Sequence, residues 1–274
     1  MSKRTYLFLT TLGFAQATRL FAGAYASSTD TSHPIDAGVS YTDEKISGWA
    51  ESVADYYITA SGSGDPTNAL GEYNTSLVSL GDLTAEQIAN GESPGYITLQ
   101  FDGFSDGDGW DFVIYENGFS YLGGLFAELA YVEVSSDGVN FARFDSISTN
   151  TEALGGGAGF QAFDMTNVYN LAGKHVGGLG TSFDLSELSD DPLTIAGLLD
   201  LTNIQYVRIV DIPGSGDYLD SEGNSILDNW PTSGTGGFDL RAVGYAYAVP
   251  EPSDYALFAG LGVLALAVRR RIAR

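Results

Sequence analysis

Carboxylates on glycine-rich turns are the groups in this chain best placed to do chemistry. In the run Asp102-Gly-Phe-Ser-Asp106-Gly-Asp108-Gly-Trp110-Asp111, the acids Asp106, Asp108 and Asp111 can bring oxygens onto one cation. Ca2+ takes six to eight such oxygens, which a flexible acidic loop can supply. A second run carries Asp217, Asp220, Glu222 and Asp228, with Asp239 further along as a candidate partner. It does not fit the regular twelve-residue calcium loop. With Gly223 at the sixth position, Tyr218 and Asn229 fall where the first and last ligands belong. An irregular, structural Ca2+ site in at least one loop is the expectation. The alternative is solvated turns, because Asp, Asn and Gly are also turn formers.

Aromatic residues offer a second chemistry. Trp110 and Trp230 both stand beside acidic turns, and Glu116-Asn117 forms a polar elbow at the end of an apolar run. Rings on loops can stack on sugars while nearby carboxylates accept hydroxyl hydrogen bonds. The competing reading has the two tryptophans plugging the ends of the core and Asn117-Gly118 turning at positive φ. Catalysis has little support. The two histidines, His33 and His175, have no nucleophile elbow near them, and no Gly-x-Ser-x-Gly occurs. Pairs of acids such as Asp111 and Glu116 carry no information in so acidic a chain, so the expectation is a non-enzyme.

The elements that must position these residues read as strands. Tyr96–Phe101 alternates, with Ile97, Leu99 and Phe101 on one face, and Asp111–Glu116 is apolar enough to be buried on both. Ala130–Phe144 is a hairpin turned at Asp137-Gly138, Ile204–Ile212 is a long late strand, and Gly237–Ala248 closes the domain. One short helical turn is expected after the capping box Thr84-Ala-Glu-Gln87, stopped at Asn90-Gly91. Many short strands without a fixed repeat predict an all-β fold, a jelly-roll β-sandwich with long Gly/Asp-rich loops.

Charge separates this body from its ends. Of 274 residues, 35 are acidic and 12 basic, and Cys is absent. Between Ser27 and Val249 stand 33 of the acids and five of the bases, a net of −28. That excludes a nucleic-acid binder, which needs clustered Lys and Arg. Without Cys there are no disulfides and no thiolate metal sites. The ends read as addresses. Lys3-Arg4, an apolar run from Tyr6 to Phe14, and small-x-small sites at Ala15–Ala17 or Ala24–Ala26 predict a signal peptide over 1–26. After the body at 27–249, Pro250-Glu251-Pro252 precedes the apolar run Tyr255–Val268 and the cluster Arg269-Arg270-Arg271. This predicts a short transmembrane helix with a positive stop within 250–274.

The three-part tail resembles the PEP-CTERM sorting signal of Gram-negative, exopolysaccharide-producing bacteria. The resemblance implies processing by exosortase near Pro250–Pro252, passage through the inner membrane, and delivery to the cell envelope, outer surface or matrix. The body resembles the discoidin-like, galactose-binding-like sandwich in its hairpin Val132–Phe141 and its strand Gln205–Ile209. It is also similar to uncharacterised bacterial cell-surface proteins through Asp111–Phe119, Ala127-Glu-Leu-Ala130 and Gly237-Phe-Asp-Leu240. The 60 or so residues from Phe144 to Asn203 have no counterpart in a compact discoidin domain. Together these features predict an exported, non-catalytic surface or biofilm protein, Ca2+-stabilised and associated with exopolysaccharide. Alternatives are a capture module for carbohydrate or another small molecule and, distantly, a polysaccharide-active enzyme.

Overall fold

A computed structural model describes residues 23–157, 159–232 and 236–249. The expected sorting residues Pro250, Glu251, Pro252, Arg269, Arg270 and Arg271 and most of the expected signal peptide lie outside them. The fold is all-β and sandwich-like, every strand pair being antiparallel. Ten strands build two five-stranded sheets: β1 (Val39–Ser40), β2 (Gly48–Trp49), β3 (Ser52–Tyr57), β4 (Tyr96–Phe104), β5 (Phe112–Tyr115), β6 (Ala130–Ser135), β7 (Ala142–Arg143), β8 (Leu179–Phe183), β9 (Ile204–Asp211) and β10 (Ala242–Tyr245). The first sheet runs β1-β8-β5-β10-β2 and the second β7-β6-β9-β4-β3. Among the described residues no helix is long and apolar enough to cross a membrane.

Side-chain alternation sets the register. In the second sheet Val207 of β9 faces Val134 on one side and Leu99 on the other, and Leu99 faces Val53. A one-residue slip would turn this apolar row out of the core. In the first sheet Phe112 pairs with Phe183 and with Tyr245. The Phe112 and Phe183 rings stack at 5.1 Å, and Phe104 of the opposite sheet stacks on Tyr245 at 5.5 Å. One core cluster therefore takes side chains from both sheets. Opposite Tyr245 stands Gly48, where a Cβ would come 2.3 Å from the tyrosine hydroxyl oxygen.

The expected hairpin forms as β6 and β7, with Gly138 at φ 75° and the Asp137 carboxylate accepting from Val139 and Asn140 N–H. The capping box at Thr84 and Gln87 starts the helix Ala85–Ala89. β5 is buried throughout. Two features were not part of the reading of the sequence. The segment without a discoidin counterpart supplies β8, an inner strand of the first sheet. The described fold also begins before Ser27: Ala26 is buried, its N–H donates to Asp36, and Tyr25 stacks on Tyr169.

Candidate metal centre

The first acidic loop leaves β4, turns through Gly107 and Gly109, and enters β5 at Asp111. Asp111 is buried, with Oδ1 accepting from Gly107 N–H at 2.9 Å and Oδ2 from Leu185 N–H at 2.6 Å. One oxygen each of Asp106, Asp111 and Asp184 lie within 4.8 Å of one another. Burial pushes the Asp111 carboxyl up to about 7, with Asp184 and Asp106 adding repulsion. Asp108 contributes otherwise: its carbonyl accepts from Lys45 Nζ at 2.8 Å and Tyr247 Oη at 2.7 Å. Asp184 came from the β8 segment, which nothing in the sequence tied to this loop.

The second run divides. Ser215–Leu219 and Ser225–Leu227 pair as a small hairpin, and Asp220 organises its turn. Its carboxylate accepts from Glu222, Asn224 and Ser148 N–H. Burial pushes that carboxyl up, but these bonds outweigh it and the net shift is downward. Asp217 accepts from the Ser215 hydroxyl at 2.9 Å, and Glu222 is exposed. Asp228 turns inward instead and accepts from Leu129 N–H at 2.7 Å.

Glu116 at the end of β5, Glu128 before β6 and Asp239 before β10 are all buried and bring one oxygen each within 4.8 Å. The strands explain the convergence, because β5 and β10 are hydrogen-bonded neighbours and the Asp239–Leu240 strand feeds β10. Asn117 Nδ2 donates to Asp239 Oδ2 at 2.8 Å, and Gly118 N–H donates to Glu116 Oε2. Thr232 Oγ1 donates to Glu128 Oε1 at 3.1 Å. Asp239 is 8% exposed and its Oδ1 receives no hydrogen bond. The nearby Ser79 hydroxyl gives its proton to Gly236 O. Burial drives the carboxyls of Glu116 and Glu128 well above the ordinary range, and mutual repulsion adds to it. Arg241 offsets part of this at Glu116 and Asp239.

The Glu116-Asn117 elbow therefore faces a carboxylate cluster. The competing reading, a turn at positive φ, does not hold: neither Asn117 nor Gly118 adopts it. A Cβ at Gly118 would come 2.9 Å from Glu116 Oε2, so close approach is what this glycine provides. Trp230 is half-buried and donates from Nε1 to Leu83 O at 2.8 Å. Trp110 has Lys45 Nζ 4.4 Å from its ring centroid. His175 is 2% exposed, and burial followed by the neighbouring Lys174 charge lowers it to about 4.

Three converging carboxylates with an oxygen lacking a donor are the kind of ligand set that could hold a hard cation. Burial raises the proton affinity of all three, and repulsion from neighbouring acids adds to it at Glu116 and Glu128. Glu116 and Asp239 were picked out in the sequence for separate roles, and Glu128 was not. Its signal was present, since an acid inside the apolar run Leu125-Phe-Ala-Glu-Leu-Ala130 must find compensation if buried. No family model matches the chain, and no curated protein matches it.

Proposed function

We propose that this is an exported, non-catalytic protein of a Gram-negative cell surface or extracellular matrix, built as a discoidin-like jelly-roll sandwich and stabilised by bound Ca2+. The observation that carries the reading is the trio Glu116, Glu128 and Asp239, buried together with an Asp239 oxygen lacking a hydrogen-bond donor. A divalent ion there neutralises charge that the fold otherwise suppresses by protonation. It also performs the cross-linking that a chain without Cys cannot obtain from disulfides. The exterior supplies such an ion, and the signal-like and PEP-CTERM-like ends support export through the inner membrane and processing by exosortase. Association with exopolysaccharide or biofilm follows from that address. The burial of His175 supports a role without catalysis.

One observation favours capture of carbohydrate as a second reading. Phe119 and Phe160 are exposed, with ring centroids 5.7 Å apart, and Tyr121 meets Phe160 edge-on at 5.0 Å. Such a platform suits sugar stacking better than Trp110, whose ring holds Lys45. Saturable binding of a surface glycan, lost with Phe160→Ala, would establish it.

The test of the principal reading is unfolding of the purified chain in EDTA and across a Ca2+ titration. An ion bound only by the folded state adds about 2.7 kcal/mol at 100 times its dissociation constant. Glu128→Gln is expected to abolish most of that gain. A gain no larger than that from NaCl at matched ionic strength would refute it.

A further inference from the structure

The described residues just before Ser27 are built into the fold. Gly23 N–H donates to Thr166 Oγ1 at 2.8 Å, and Tyr25 N–H to Thr166 O at 3.2 Å. A Cβ at Gly23 would lie 1.9 Å from that same Thr166 O, so only glycine lets the chain approach so closely. The Tyr25 ring stacks on Tyr169 at 4.9 Å with 18° between the planes, and Lys174 Nζ stands 5.7 Å from the Tyr25 centroid. Ala26 is fully buried, and its N–H donates to Asp36 Oδ1 at 2.8 Å. The other Asp36 oxygen accepts from Lys174, itself fully buried. Just beyond, Ser28 O accepts from Val176 N–H at 3.0 Å.

Two Ala-x-Ala triplets could direct removal of an export leader, Ala15-Gln-Ala17 and Ala24-Tyr-Ala26. A leader peptidase reads small residues one and three places before the bond it cuts, shortly after an apolar run. The first triplet ends three residues after the run Tyr6–Phe14, the second twelve residues after it with Arg19 between. The peptidase meets the chain before it folds, so burial does not shield the second bond. What the fold decides is the consequence of each cut. One after Ala26 discards Gly23–Ala26. The Tyr169 ring then loses its stacking partner, and a hole opens where Ala26 was packed. Thr166 O and the buried Asp36 carboxylate each lose an N–H donor, and that carboxylate is the ion-pair partner of buried Lys174. A cut after Ala17 removes none of the described residues.

We propose that the leader is removed at the Ala17–Thr18 bond, and that Gly23–Ala26 stays in the mature domain as a strap joining the Thr166–Tyr169 segment to Asp36. The reaction is hydrolysis of one peptide bond. The bond between the Ala17 carbonyl carbon and the Thr18 nitrogen breaks, and water gives its hydroxyl to the carbon and its proton to the new amine. The proposal rests on the reading that the chain is exported. It adds which bond is cut and which residues the mature fold keeps.

The experiment reads the new terminus. The full chain is produced in a Gram-negative host and the exported protein is sequenced from its N-terminus, a readout indifferent to processing at the other end. Thr18 is expected as the first residue. Ala24→Leu spoils the second triplet at an exposed position and should leave that terminus unchanged, whereas Ala17→Leu should abolish it. Ser27, or any residue other than Thr18, at the head of a cut chain overturns the assignment and leaves the export reading intact. Loss of cleavage with Ala24→Leu overturns it as well. A chain that keeps residues 1–17 overturns the assignment, and one that is also retained in the cytoplasm overturns the export reading with it.

Discussion

Replacing Asp82 by Asn should stabilise the metal-free protein at neutral pH. Burial, only partly offset by hydrogen bonds from Thr232 and Gly237, holds the Asp82 carboxyl at about 6 against an ordinary 3.8. The folded protein therefore grips this proton more tightly than the unfolded chain does. Stability falls as pH rises from about 4 to about 6, then stays at its lower level. The gap of about two pK units corresponds to roughly 3 kcal/mol at neutral pH. An amide has the same shape, can still accept from Thr232 N–H, and pays no ionisation cost. In EDTA at pH 7.5, Asp82→Asn should thus gain about 1–3 kcal/mol, allowing for an imperfect replacement bond, and the gain should vanish near pH 4. Urea unfolding in EDTA at four pH values reads the effect. A variant less stable than the parent in EDTA at pH 7.5 would refute the electrostatic argument.

Three further perturbations probe the frame around the site. Lys174 is fully buried and donates to Asp36 Oδ2 and to Val168 O, so Lys174→Met should cost about 3–5 kcal/mol by leaving that carboxylate without its cation. Urea unfolding should show Lys174→Met/Asp36→Leu losing less than the single variant. Because burial depresses His175 to about 4, its neutral ring contributes stability that is whole above pH 6.5 and lost as pH falls through 4; NMR titration of the imidazole should place the midpoint near 4, and a midpoint near 6.5 would show the ring to be solvated. Gly48→Ala puts a methyl 2.3 Å from the Tyr245 hydroxyl oxygen, and the overpacking should cost about 1–3 kcal/mol in thermal unfolding.

Local pattern made much of the fold legible. Period-two alternation in Tyr96–Phe101, the strand run at Ile204–Ile212, the Asp137-Gly138 turn and the Thr84–Gln87 box each depend on neighbours in sequence, and each forms as read. The strand β8 escaped because Leu179-Gly-Thr-Ser-Phe183 has no alternation of its own. It is a strand because β1 and β5 pair with it. Asp106 and Asp111 were legible as a pair because they share one loop, whereas Asp184 joins them only through the β8 pairing.

Composition and local spacing by themselves determined an acidic, Cys-free, all-β body with carboxylates on its turns. They could not say which of 33 body acids face water and which face one another. That was decided by tertiary structure. Glu116 and Glu128 stand more than a hundred residues before Asp239, yet the fold brings one oxygen of each of the three within 4.8 Å of the others. The reason is physical: a carboxylate's proton affinity and its fitness as a ligand depend on dielectric surroundings and on oxygens a few ångströms away. Both are set by packing across the sandwich rather than by adjacent residues.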